Sequence, residues 1–339
     1  MKRTLTTLLL LLAVCTVHAQ PADYVWRTPS RDSSESMPCG GGDTGMNVWV
    51  EGGNIFIYMS RSGAYDQYNT LLKQGRLRIQ LGHGISAGAD FRQTLRLNEG
   101  YVEIEDGDDK VVIWADVHAP VIHIETESRR AIECGVSYEN WRYQPRALRK
   151  GEGKQNSLKW SKYDGSMTAQ DTVRVESESS VMFFHRNPEE TVFDRTVAAL
   201  GMTGVKEQMW NPLANLVSGG VMECEGMKFI GTSKGKYADT DFRAWNFQSK
   251  QPARKHSITV TLHTAQTASD DEWRDGLAAV QRATAGAAAV RKAREKSREW
   301  WRGFWQRSWI ESDSGEAATL ARNYTLFRYM LGCNAYGRT

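Results

Sequence analysis

Ser36-Met-Pro-Cys-Gly-Gly-Gly-Asp-Thr-Gly-Met-Asn-Val-Trp-Val-Glu-Gly-Gly53 is the stretch on which the reading of the fold turns. Its glycines at 40–42 permit a backbone turn where a side chain would clash. Residues 46–51 read as a strand, and Gly52-Gly53 as a hairpin turn into a second strand over 55–59. A phosphate loop must open a helix and carry a Lys-Ser/Thr pair. A glycine-rich turn that feeds a strand is therefore structural.

Outward from this block the texture stays β as far as about Thr264. Arg76–Leu81 alternates with period two, as a half-buried strand does. Residues 94–97 meet 101–105 across Asn98-Glu99-Gly100, and Asp106-Gly107-Asp108-Asp109 turns into 111–115. Further strands are expected at 121–125, 172–176, 181–185, 228–232 and 257–263. Many strands joined by Gly, Asn and Asp turns predict a mainly β fold, a large antiparallel sandwich. One helix interrupts it. Asn187 is its expected N-cap, Pro188 its first position, and Gly201 its end, with Phe193, Val197 and Leu200 on one face.

At Ser269 the pattern becomes helical. Ser269-Asp-Asp-Glu272 forms a capping box, and Trp273, Leu277 and Val280 form a stripe. After a break at Gly286, a second helix ends in Trp301, Phe304, Trp305, Ser308 and Trp309. Asp313 is the expected cap of a third helix, which carries Leu320, Tyr324, Phe327 and Leu331. The expected partition is a signal peptide at 1–19, a sandwich at 20–268, a helical linker at 269–311, and the start of a helical domain at 312–339. So wide an aromatic face calls for other helices against it. On this reading Trp301, Trp305, Tyr324 and Phe327 stand exposed.

Lys2 and Arg3, the apolar run 5–14 and Val17-His18-Ala19 make a signal peptide, which predicts export to the periplasm or outside. Leu12-Ala13-Val14-Cys15 resembles a lipobox, but Val14 replaces the small residue expected there, which argues against a lipid anchor. Removing Lys2 and Arg3 from the 43 Lys and Arg leaves 41 against 40 Asp and Glu. Nucleic-acid binding, which needs a concentrated basic surface, is not expected. Nor does any later apolar run suit a transmembrane span. Cys39, Cys134, Cys224 and Cys333 permit three disulfide pairings or four buried thiols.

Few motifs carry chemistry. Gly84-Ile-Ser-Ala-Gly88 matches a nucleophile elbow, yet the segment after it reads as a strand, so Ser86 is expected in a hairpin loop. The 106–109 turn lacks the spacing of a calcium loop, and no metal or cofactor is expected. Arg61-Ser-Gly-Ala-Tyr65-Asp66 brings together groups able to hydrogen-bond and stack on a sugar. His185-Arg186-Asn187 lies at a strand end, and His185 and Arg186 join Arg61, Tyr65 and Asp66 as candidate carbohydrate contacts. The 12 Trp fall mostly in strand or helix patterns and read as core.

The opening block, with Thr28-Pro-Ser-Arg-Asp-Ser-Ser-Glu before it, resembles a bacterial family of exported proteins, domain of unknown function family 5703. Ser60-Arg-Ser-Gly63, Leu71-Leu-Lys-Gln-Gly-Arg76, Phe183-Phe-His-Arg-Asn187 and Asn211-Pro-Leu-Ala-Asn215 with Gly219-Gly220 carry the same resemblance. More remotely, Pro38-Cys-Gly-Gly-Gly-Asp-Thr-Gly45 is similar to the opening of glycoside hydrolase family 95, the fucosidase and galactosidase group. That resemblance implies a β-super-sandwich, a helical linker and an (α/α)6 barrel, with residues 300–310 resembling the linker end and 323–331 the first barrel helix. It also implies catalytic carboxylates in the barrel. Twelve helices with their loops need on the order of 200 residues, far more than follow Gly315. No catalytic residue transfers to this sequence.

The expectation is therefore the N-terminal scaffold of an exported carbohydrate-active protein with a truncated barrel, not catalytic alone, whose partner is the helical domain in cis or trans. A stand-alone carbohydrate-binding or cell-surface sandwich is the alternative.

Overall fold

A computed structural model describes residues 21–86, 88–149, 151–158, 166–334 and 336. The signal-peptide and lipobox readings lie outside them. The chain runs through β1 (Tyr24–Trp26), β2 (Met37–Gly41), β3 (Thr44–Glu51), β4 (Asn54–Arg61) and β5 (Arg76–Leu81). It continues with β6 (Arg92–Arg96), β7 (Tyr101–Asp106), β8 (Asp109–Ala115), β9 (Val121–Ile132) and β10 (Cys134–Asn140). A short ribbon, β11 (Arg146–Ala147) and β12 (Met167–Thr168), precedes β13 (Thr172–Ser177) and β14 (Ser180–Arg186). Helix α1 (Val192–Ala199) leads to β15 (Leu216–Cys224), β16 (Met227–Tyr237), β17 (Thr240–Ser249) and β18 (Ala253–Gln266). Three helices follow: α2 (Asp270–Thr284), α3 (Ala287–Arg307) and α4 (Gly315–Gly332).

The fold is mainly β, with two large antiparallel sheets. Nine strands lie in the order β1-β6-β7-β8-β9-β18-β15-β14-β13 and seven in the order β16-β17-β10-β5-β4-β3-β2. Alternate residues of both sheets enter one core: Val48, Ile57 and Leu77 meet Val102, Ile113 and Ile258 there. Tyr138 of one sheet stacks on Phe183 of the other, with ring centroids 4.2 Å apart. Interdigitation of this kind defines a sandwich.

The glycine block corrects one expectation. Gly40 and Gly41 belong to β2 and pair with Gly45 and Thr44, so the turn begins only at Gly42, whose φ is 61°. Glycine is required in the strand for another reason, because α4 presses on it. A Cβ at Gly40 would lie 3.0 Å from the Cys333 Cβ and 2.7 Å from the Thr44 carbonyl oxygen. Strands β1, β2, β10, β15 and β17, absent from the sequence reading, complete the two large sheets.

Three helical expectations also change. The first helix starts four residues later than Asn187 implied: Thr191 caps it, and Asp194 closes a capping box. Asn187 instead uses its side chain to donate to the Leu213 carbonyl at 3.0 Å. Ser314, not Asp313, stands at the N-cap of α4. Trp301 and Trp305 are fully buried, while Tyr324 and Phe327 are exposed. The tryptophans have a partner in the sandwich itself. The Trp305 indole donates to the Leu97 carbonyl at 2.7 Å, and Trp301 lies where a Cβ at Gly100 would sit 1.8 Å from its ring nitrogen.

Elsewhere the helices follow the sequence. Ser269 accepts from the Glu272 amide at 3.2 Å, and Gly286, at φ 92°, separates α2 from α3. Helix α2 buries Trp273 and Leu277 on the outer face of the nine-stranded sheet, against Phe184 and Val217. Among the described residues no helix is long and apolar enough to cross a membrane.

Candidate functional site

At one end of the sandwich the interior turns polar. Across β18, β15 and β14 the inward row Leu262–Gly220–Phe183 is followed by the row Thr264–Ser218–His185. From the other sheet, Arg61 continues the inward register of Ile57 and Met59, and pairs with Thr44. β4 approaches β18 there. The Arg61 charge is felt at His263, whose pKa is lowered first by burial and then by Arg61.

Asp171 is the hub of this end. Its carboxylate accepts from His185 Nδ1 at 2.8 Å, Asn140 Nδ2 at 2.8 Å, and Arg142 Nε at 2.9 Å and Nη2 at 2.8 Å. Asn140 also donates to the Tyr138 hydroxyl at 3.1 Å, which donates to the Gln74 carbonyl at 3.1 Å. Burial alone would raise the Asp171 carboxyl. The Arg142 charge and the His185 hydrogen bond override it and hold the group at about 2. A buried carboxylate this well bonded is charged at neutral pH. It fixes His185 with a hydrogen on Nδ1 and leaves Nε2 with no partner among the described residues. With His185 2% exposed, the pair is closed to substrate and acts as a clamp between strands of both sheets.

The remaining candidates are placed as follows. Arg61 pairs with Asp43, its Nε and Nη2 both 2.9 Å from the carboxylate. Asp66 accepts from the amides of Tyr68 at 2.9 Å and Thr70 at 2.8 Å, so its carboxylate builds its own turn. Tyr65 packs against the cluster of Tyr68, Val192, Leu213 and Leu216. Arg186 points away from His185, as successive strand residues do. It donates to Asp270 at 2.5 Å and to the Thr267 carbonyl at 3.0 Å, on the wall of a cleft of about 980 Å³. The structure thus brings Arg61 and His185 to the polar end and sends Arg186 outside it.

Sequence reading missed Asp171 and Arg142, because neither lies in a motif and their partners are distant along the chain. The weaker motifs resolve simply. Ser86 lies between β5 and β6, and its hydroxyl donates to Asp106 at 2.7 Å. His83 Nε2 lies 2.9 Å from Asp109. Among the described residues no group of His, Cys, Asp and Glu could hold a metal ion. All four described cysteines are free and buried. Burial pushes the Cys39 and Cys134 thiols up to about 12, so neither is a nucleophile.

A family model described as domain of unknown function (DUF5703), in its N-terminal part, matches residues 25–310. No curated protein matches the chain. Among solved structures, one titled as a kojibiose phosphorylase from the human microbiome aligns with a TM-score of 0.42 and 12% identity, over 92% of this chain and 41% of that one. A bacterial glucoamylase complexed with acarbose aligns with a TM-score of 0.34 and 8% identity, over 84% of this chain and 40% of that one. The chain therefore spans about two fifths of the length of either structure.

Proposed function

The chain belongs to the DUF5703 family, and from that premise we propose that it is the N-terminal scaffold of an exported, glycoside-hydrolase-like protein acting on carbohydrate. It supplies architecture, and a helical domain, in cis or trans, supplies the catalytic carboxylates. The observation that carries this reading is the two-sided character of α4. Ala321, Thr325 and Tyr329 are buried on its inner side, whereas Leu320 is 69%, Phe327 60% and Met330 52% exposed on its outer side. A helix with apolar residues on two sides belongs between two layers. The sandwich is one layer; the second, on this reading, is the helical domain.

The test has two parts. The purified chain should release no p-nitrophenol from a panel of α- and β-glycosides, and turnover that survives purification refutes the scaffold role. It should also bind a hydrophobic dye through α4, and a dye-negative chain refutes the docking face. Of the five residues named as carbohydrate contacts, Arg186 lines a cleft, which favours a second reading, a sandwich that itself binds glycan.

A further inference from the structure

We propose that Trp210 and the cleft beside it form a stacking subsite for a neutral pyranose. The proposal rests on the carbohydrate part of the reading above and is independent of the α4 docking face. Trp210 is 76% exposed. An exposed indole offers a flat apolar face that a ligand can cover.

The ring is nevertheless held in place. Its Nε1 donates to Gln266 Oε1 at 3.1 Å, while Gln266 Nε2 donates to the carbonyls of Asn211 at 2.9 Å and Ala214 at 2.7 Å. One amide at the end of β18 therefore pins both the indole and the loop that carries it. The loop is tied again where the Thr267 amide donates to the Asn215 carbonyl at 3.0 Å. A platform fixed before binding loses little freedom when a ligand arrives.

The adjoining cleft of about 980 Å³ includes Met209 and Asn211, the two neighbours of Trp210. Its cations are matched within the protein: Arg186 to Asp270, and Lys206 to Asp194 at 2.6 Å. Glu189 and Glu207 also line it, so an anion is disfavoured. Asn187, 5% exposed, forms part of the same wall. Its Nδ2 donates to the Leu213 carbonyl, and its buried Oδ1 has no partner among the described residues. A pyranose offers an apolar C–H face for the indole and a rim of hydroxyls for amides and carboxylates. The rival occupant is a protein, because Leu200, Met202 and Val205 are also exposed on the way to Trp210. The pinned ring and polar cleft favour the sugar.

The full chain labelled with 5-fluorotryptophan separates these outcomes by fluorine NMR. Trp210→Phe identifies the Trp210 resonance, and the probes are cellotriose, xylotriose, laminaritriose and 2′-fucosyllactose. We expect that resonance to move saturably with at least one probe, and isothermal titration calorimetry to give about tenfold or more weaker binding in Trp210→Ala and about two- to tenfold weaker binding in Gln266→Leu, which unpins the ring. Saturable shifts elsewhere with Trp210 still overturn the subsite but leave glycan binding intact. No shift with any probe overturns the subsite, while the scaffold reading is still judged by the glycoside and dye tests. A Trp210 shift that follows protein concentration without sugar overturns it in favour of contact between copies.

Discussion

Replacing Asp171 by Asn tests the clamp that closes the polar end. The native carboxyl titrates at about 2 against an ordinary 3.8, because Arg142 and His185 overcome the effect of burial. A lowering of that size is worth about 2–3 kcal/mol of folding free energy. Since the folded-state value is the depressed one, the contribution is fully present above 3.8 and is lost as pH falls through about 2. His123 occupies a separate window. Burial first, and Arg294 second, lower it from 6.5 to about 4, so the unfolded chain takes up its proton earlier and stability falls between those values. That loss is common to both proteins and cancels in their difference.

In the Asp171→Asn variant the amide cannot charge, and Arg142, with a side chain 10% exposed, loses its counter-ion. Breaking a buried pair from one side costs about 3–5 kcal/mol at neutral pH. Urea unfolding followed by circular dichroism, at steps from pH 7 to pH 2.5, measures both quantities. The gap between wild type and variant should be widest at pH 7, hold until about pH 4, and then narrow by about 1.5 kcal/mol by pH 2.5. Parallel curves through that last window refute the assignment, as does a gap below about 1 kcal/mol at pH 7.

Gly100→Ala should destabilise by more than about 2 kcal/mol, because φ is 68° there and the new methyl would overlap Trp301; the thermal midpoint reports it, and an unchanged midpoint means α3 does not seat on the β6–β7 turn. Glu139→Gln should cost about 3–5 kcal/mol, since Arg76 and Glu139 form an ion pair with side chains 2% and 1% exposed. The double change Arg76→Met with Glu139→Leu should recover most of that loss in the same denaturation assay. Leu320→Gln with Phe327→Gln should leave stability within about 0.5 kcal/mol per site but reduce hydrophobic-dye fluorescence. An undiminished dye signal would place the exposed surface elsewhere.

The fold was legible where local pattern and tertiary context agree. Period-two segments such as Arg76–Leu81 became strands at the residues the alternation marked. β15 escaped because Gly219 and Gly220 interrupt its apolar run, and their need appears only in three dimensions: a Cβ at Gly219 would lie 2.1 Å from the Phe183 carbonyl oxygen. The start of α1 was misplaced because Asn187 and Thr191 both suit a cap, and a hydrogen bond to Leu213, 26 residues away, decided between them. The same holds for the site. His185 stood out at a strand end, but Asp171 lies 14 residues from it and Arg142 a further 29, with no spacing that links them. Trp210 carries no sequence mark that separates an exposed indole from a core one.

The seat of α4 on β2 also sets an order of events during synthesis. β2 is the outer strand of the seven-stranded sheet, and α4 packs against it through Tyr329 and Cys333. At about 5–20 residues per second the ribosome makes Cys333 roughly 15–60 s after Cys39. For that interval the glycine face of β2 that Tyr329 and Cys333 cover in the fold stays open to water. A chaperone that holds this strand until α4 emerges would decide how much of the protein reaches its native state.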